Sequence, residues 1–207
     1  MSDVLYLASQ SKNRQELLRR CKINYEVLRH DADELSIDPS LEFNEYVLAI
    51  ANEKMKHAVL PQAEAVKQRP AFILTADTML KTIEKNPHLI GKPIDREDAR
   101  RLLGLLRKVP FLVTTACVLE KKKFDKKWIS LEKKELIVSA TAEFCVEEKE
   151  IDFYLDSTPE SLSSCGATAV EGFGDNFLKS INGSYSAALG IPIYELRKLL
   201  KELDFSF

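Results

Sequence analysis

The sequence predicts a mixed α/β fold on one central sheet, and three observations predict it. Short apolar runs rich in strand formers alternate with segments whose apolar residues recur at helical spacing. The first run hands over to a helix through a small polar turn, which is how an α/β unit begins. Further along, a charged tip and Gly-containing turns between β-branched runs call for hairpins, so an all-parallel sheet is excluded. A length of 207 residues suits one domain, residues 1–207. A composition 45% hydrophobic and 30% charged excludes collagen-like and wholly disordered chains.

Taken in order, residues 4–8 (VLYLA) read as a strand, Ser9, Gln10 and Ser11 as a polar turn, and residues 14–20 as a helix. Residues 25–28 read as a second short strand. Across 43–59, Tyr46, Val47, Ile50, Ala51, Met55 and Ala58 keep helical spacing, with Lys54 and Lys56 among the polar positions. Residues 71–76 (AFILTA) form a buried strand candidate that ends at Asp77 and Thr78. Residues 96–106 read as an amphipathic helix, with Glu97 and Asp98 near its start, where acids suit the helix dipole. Residues 112–119 and 136–146 read as strands, and the charged stretch 120–127 between them as a solvated hairpin tip. Residues 147–155 read as helical, Gly172–Gly174 and Asn182–Gly183 as turns, and 193–203 as a closing helix.

The net charge of −2 offers no basic footprint for nucleic acid. Cys21, Cys117, Cys145 and Cys165 are scattered without metal-site spacing, and His30, His57 and His88 do not cluster. No apolar run is long enough for a membrane span, and the first residues lack a basic segment followed by an apolar run. A reducing cytoplasm is the expected location.

Five features could carry chemistry. Ser9, Ser11, Lys12, Asn13 and Arg14 lie where a strand meets a helix N-terminus, a place for an anion or simply for a cap. Asp77 follows an apolar strand directly, so it either faces a ligand crevice or forms a turn. Lys92, between Gly91 and Pro93, is a point charge in a tight loop, suited to a phosphate or to solvent, and lacks P-loop glycine spacing. The cluster Asp31, Asp33 and Glu34 could hold Mg²⁺ or be plain surface, and Lys54 on the second helix is by default a surface lysine. Glu171, in the glycine-bounded stretch 166–174, could read a base or sit exposed.

The order of the strings LASQSKNRQELL, DADE, ANEKMK, ADT, GKP, VEGFG, INGSY and LGIP resembles the Maf family of nucleotide pyrophosphatases from residue 5 to about 200. That resemblance implies a single α/β domain with an elongated, bent mixed sheet flanked by helices, two lobes around a deep cleft, and a fold similar to the inosine triphosphatases. It implies hydrolysis of a nucleoside triphosphate to the monophosphate and pyrophosphate with a divalent metal (Mg²⁺, Mn²⁺ or Co²⁺), in a house-cleaning role linked to arrest of cell division. By the same resemblance Asp77 is the proton acceptor, and Ser9, Arg14, Lys54 and Lys92 bind substrate. Glu34 and Asp77 are the metal ligands, and Asn13, Thr78 and Glu171 sit at specificity positions. Members are often dimers, so a homodimer is an expected assembly. A nucleotide-binding regulator with reduced or lost turnover is the alternative.

The family's usual SPRR string is SKNR here, so Lys12 replaces a proline and Asn13 an arginine or tryptophan. Phe111 stands where a histidine is common, and the family's Asp-containing string is altered at Ser163–Cys165. The dTTP/UTP branch carries Arg, Thr and Gln at the specificity positions, and the 7-methyl-GTP branch Trp, Gln and Glu. This chain has Asn13, Thr78 and Glu171, which matches neither set. Thr78 and the stretch 182–185 lean to the pyrimidine branch, whereas Glu171 leans to the other. A carboxylate can accept from the N1–H and amino group of a guanine, while uracil offers one N–H and two carbonyls. The base is left open on the sequence.

Overall fold

The computed structural model describes residues 2–61 and 69–207. In chain order the elements are β1 (Leu5–Leu7), α1 (Lys12–Arg20), β2 (Tyr25–Val27), α2 (Phe43–Lys56), β3 (Ala71–Thr82), β4 (Leu89–Ile90), α3 (Arg96–Leu106), β5 (Phe111–Asp125), β6 (Lys127–Phe144), α4 (Ile151–Ser157), β7 (Leu178–Gly183), α5 (Tyr185–Ala188) and α6 (Ile193–Glu202). Short 3₁₀ turns fill several of the connections, among them Glu34–Ser36, Pro159–Ser163, Cys165–Ala167 and Gly172–Phe177. The strands form one seven-stranded mixed sheet in the order β2-β1-β3-β5-β6-β7, with β4 paired to β3. The chain's contacts divide into two compact units.

The first unit comprises Met1–Asp77, Thr115–Val138 and Leu189–Phe207. Leu5 and Leu7 of β1 are fully buried, and β1 pairs in parallel with β2 (Leu5↔Tyr25) and with β3 (Leu5↔Phe72). A parallel neighbour needs a crossover, and α1 supplies the one to β2. Leu17 and Leu18 give α1 its buried face, Ser11 caps its start, and Lys22 leaves its end in a left-handed conformation (φ 54°). Each fully buried Leu or Ile contributes about 1.5–3 kcal/mol of transfer free energy. Phe205 meets Phe72 edge-on at 5.0 Å between centroids, so the residues after α6 close over β3.

The second unit comprises Thr78–Thr114 and Ser139–Ala188. Here β4 pairs antiparallel with β3 (Leu80↔Ile90), and β7 pairs antiparallel with β6 (Ala140↔Gly183). Gly183 adopts φ 119°, and an added Cβ would lie 2.9 Å from the Ala140 Cα, so glycine is required there. Phe144, Tyr154, Phe173 and Phe177 form an aromatic cluster, with centroids 5.3 to 6.0 Å apart.

Several expectations are corrected. The third strand does not end before Asp77 but runs to Thr82, so Asp77 lies inside β3. The hairpin tip expected over 120–127 is present but narrower: Lys123, Asp125, Lys126 and Lys127 are exposed, while Glu120 to Lys122 belong to the sheet. β5 runs to Asp125, and Lys126 alone, at φ 58°, separates it from β6. Lys121 donates to the Leu203 carbonyl (2.5 Å) and lies over the Phe72 ring, while Lys122 pairs with buried Glu120 at 2.7 Å. Asn182 and Gly183 end a strand rather than form a turn, because their backbone groups pair with β6. The second helix stops at Lys56, and the helical stretch after 146 begins as a 3₁₀ turn before α4. Among the described residues, no helix is long and apolar enough to cross a membrane.

Candidate active site

In the first unit β1 lies between two parallel neighbours, β2 on one side and β3 on the other. The chain runs from β1 through α1 to β2 on one side and then through α2 to β3 on the other, and the polar turn of Ser9 and Ser11 follows the C-terminal end of β1, the end of an α/β strand at which ligands bind. Leu7 is in register with Leu74. Ser9, two residues beyond the end of β1, and Asp77, three beyond Leu74 and midway along β3, therefore lie at neighbouring levels of the sheet.

The turn after β1 holds a buried cation. Arg14 and Ser9 are 8% and 4% exposed. Ser9 Oγ accepts from Arg14 Nη1 at 3.1 Å and from the Ser11 N–H at 3.3 Å, while Arg14 Nε donates to the Gly190 carbonyl at 3.0 Å. The guanidinium fork thus engages two acceptors in fixed directions, which a lysine could not do. Gly190 adopts φ 107°, so its carbonyl is presented by backbone that favours glycine. Asn13, half-buried, precedes Arg14 in the first turn of α1.

Asp77 is held from α2 by two rungs. Thr75 Oγ1 donates to the Ala51 carbonyl at 2.8 Å, and Lys54 Nζ donates to Asp77 Oδ1 at 2.6 Å. Thr75 and Asp77 share a strand face, and Ala51 and Lys54 share a helix face, so each rung fixes the other. Lys54 Nζ also lies 3.0 Å from Glu34 Oε1, in the 3₁₀ turn after β2. The Lys54 and Asp77 side chains are 7% and 11% exposed, and Glu34 is 46% exposed. Lys54 is therefore no surface lysine but a buried ammonium between two carboxylates. Glu34 and Asp77 come together through it, while Asp31 and Asp33 are exposed.

Two neighbours register the same charges. His30 is half-buried with its Nδ1 buried and unpartnered. Burial lowers its pKa first and Lys54 next; Arg14 adds to this, with Glu34 and Asp31 opposing. Fully buried Cys117, on β5, has its thiol pushed up to about 12 by burial, within electrostatic reach of both Arg14 and Asp77. It stays a neutral thiol near neutral pH and is no nucleophile.

Among the described residues no group of three or more His, Cys, Asp or Glu is placed to hold a metal. The donor chemistry of Glu34 and Asp77 nonetheless fits Mg²⁺ and its like, which use one or two carboxylates and take their remaining oxygens from water and phosphate.

Thr78, Lys92 and Glu171 belong to the second unit. Thr78 is half-buried on β3, and Lys92 is exposed in the loop between β4 and α3. That loop is stitched to the stretch leading to Glu171: the Gly166 N–H donates to the Gly91 carbonyl at 2.8 Å, and Cys165 Sγ to the Ile90 carbonyl at 3.1 Å. Gly166 (φ 63°) is packed so closely that an added Cβ would lie 2.5 Å from Leu80 Cδ1.

Sequence reasoning missed Thr75, Gly190 and His30. A hydroxyl two residues before Asp77 was a signal that a strand-mate could brace it. The string LGIP contains Gly190, but its contact with Arg14 across 176 residues is set by the fold.

Fold and site together define an α/β protein with an acid, a lysine and an arginine buried on β3, α2 and the start of α1, chemistry suited to a phosphate-bearing anion. The chain belongs to the Maf-like protein family, whose model matches residues 4–203. It is 32% identical over 206 residues to the dTTP/UTP pyrophosphatase of Colwellia psychrerythraea, covering 99% of this chain and 90% of that one. It is 32% identical to that of Cupriavidus metallidurans over the whole of both chains, and 30% identical to that of Fusobacterium nucleatum over 97% and 96% of the two. Among solved structures the Staphylococcus aureus Ham1 protein is similar over 69% of this chain and 72% of that one, at 16% identity and a TM-score of 0.35.

Proposed function

We propose that this chain hydrolyses a nucleoside triphosphate to the monophosphate and pyrophosphate, with dTTP and UTP as its substrates. One observation carries the reading: the buried Asp77–Lys54 pair, with Glu34 on the same ammonium, in the unit where Arg14 is buried in the turn after β1. The names of the relatives supply the reaction and its pyrimidine substrates.

The chain's own groups have these roles. Asp77 takes a proton from a water that attacks the α-phosphorus; the new bond forms there as the bond to the β-phosphate oxygen breaks, and pyrophosphate leaves. Lys54 holds the Asp77 carboxylate in place. Arg14 and Lys92 offset the charge of the triphosphate, and Ser9, whose oxygen already accepts two bonds, has its hydrogen left to donate to a phosphate oxygen. Glu34 and Asp77 would hold a divalent cation (Mg²⁺, Mn²⁺ or Co²⁺), which supplies charge neutralisation at the phosphates. Asn13, Thr78 and Glu171 select the base, Glu171 accepting the single N–H of a uracil or thymine ring. The enzyme acts in the cytoplasm as a homodimer, clearing nucleotides, with no nucleic-acid or membrane partner.

The test is a panel of dTTP, UTP, 7-methyl-GTP and inosine triphosphate with each metal and pyrophosphate detection. Release from dTTP and UTP above the others is expected. Release from 7-methyl-GTP alone would overturn the substrate assignment. Thermal stabilisation by nucleotides with no release from any would favour the regulator reading.

A further inference from the structure

We propose that Tyr154 is a positioning residue for substrate selection: its buried hydroxyl clamps the base of the loop that carries Glu171. The inference rests on the pyrophosphatase reading only for what the loop selects. The clamp itself is a matter of geometry.

Tyr154 lies on α4 and is fully buried. Its hydroxyl donates to the Ala167 carbonyl at 2.8 Å and accepts from the Ala169 N–H at 2.8 Å. One oxygen therefore satisfies two backbone groups of an irregular segment, where no strand or helix ladder is available to do so. The segment is held in unusual conformations: Gly166 has φ 63°, Ala167 has φ 58° and Gly172 has φ 61°. A non-glycine residue at positive φ persists where the surroundings impose it, and at Ala167 the surroundings include the bond to Tyr154.

The loop then doubles back on itself. A Cβ at Gly174 would lie 1.6 Å from the Ala169 carbonyl oxygen and 3.6 Å from Tyr154 Cε2, so Gly174 sits directly against the clamped residue. The Gly174 N–H donates to the Glu171 carbonyl at 3.2 Å. Ala169 and Gly174 thus close a tip of four residues, 170–173, with Glu171 in it. The ring of Tyr154 is held in turn by Phe144 and Phe177, edge-on at 5.4 and 5.3 Å. Its hydroxyl is the polar end of a rigid aromatic post, and desolvation keeps it protonated.

A tip anchored at its base presents the Glu171 carboxylate in one place. Tyr154→Phe keeps the ring and removes the clamp, and leaves Asp77, Lys54 and Arg14 untouched. Two readouts test this. Hydrogen exchange at the Ala169 amide should speed up by about tenfold or more in Tyr154→Phe, the size of one lost hydrogen bond. Wild-type exchange there would overturn the clamp, whatever the enzyme does. The preference for dTTP over 7-methyl-GTP, as a ratio of kcat/KM, should shift by about tenfold, with kcat on the better substrate within about twofold. A residue that merely supports the fold would slow both substrates alike and leave the ratio unchanged, and that result would overturn the positioning role. Phe177→Leu, which keeps an apolar side chain but loosens the ring that carries the hydroxyl, should shift the ratio in the same direction and serves if Tyr154→Phe does not fold. Absence of pyrophosphate release by the wild type would count against the pyrophosphatase reading, with the exchange result still deciding the clamp.

Discussion

Removing the Lys54 ammonium should destabilise the protein through Asp77, and the size of the effect follows from the site. The two charges stand 2.6 Å apart with side chains 7% and 11% exposed. At an effective dielectric of about 20 the gross attraction is about 6 kcal/mol, and the loss of hydration offsets most of it. Lys54→Met keeps the stem and leaves two carboxylates without their shared cation. Breaking a buried pair this way costs about 3–5 kcal/mol, and the half-exposed Glu34 places this case at the lower end, about 3 kcal/mol. For a chain of this size that is a fall in Tm of about 6–12 °C. Asp77→Asn should cost less, about 1–2 kcal/mol, because Lys54 keeps Glu34. The double variant should therefore be less unstable than the sum of the two, by about 2 kcal/mol. Urea unfolding of all four proteins gives the coupling directly. Additivity within about 0.5 kcal/mol would mean that the pair behaves like a surface ion pair, and the bracing of Asp77 by α2 would be wrong.

Two further predictions address other parts of the molecule. Gly104 lies inside α3, and an added Cβ would meet nothing within 4 Å, so Gly104→Ala should stabilise the protein by about 1 kcal/mol, read as a rise in Tm of about 2–4 °C; a fall would show that the helix surface is not open there. His30 has a folded pKa below its ordinary value, so the unfolded chain takes up the proton first on acidification. The stability linked to His30 is full above about pH 6.5 and is lost as pH falls toward and through the lower folded value, so His30→Gln should flatten the slope of Tm against pH below about 6.5.

The parts visible in the sequence were those governed by local pattern. The β1 run with its polar turn marked the start of the α/β unit, and the helical spacing of 96–106 matches α3 to the residue. Strand ends were harder to see, because pairing partners set them. Asp77 and Thr78 looked like a terminus after an apolar run, yet β3 continues, since β4 pairs at Leu80 and Lys81. The start of the charged run 121–127 read as loop for the same reason: Lys121 and Lys122 sit in β5 while their charges reach Leu203 and Glu120. In the site, the types of Asp77, Arg14 and Glu34 suggested their chemistry. The burial of Lys54 did not show, because helical spacing alone placed it on the polar side; only the α2–β3 packing through Thr75 turns it inward. The Tyr154 clamp was hidden likewise, since a tyrosine in an apolar helix face looks like core.

The central claim is that Asp77 directs water to the α-phosphorus of a nucleotide held at this site, and hydrolysis of dTTP in ¹⁸O-labelled water tests it most directly. The label should enter the monophosphate and not the pyrophosphate, and Asp77→Asn should abolish the reaction while the chain stays folded. Label in the pyrophosphate or in orthophosphate, or undiminished turnover by Asp77→Asn, would contradict it.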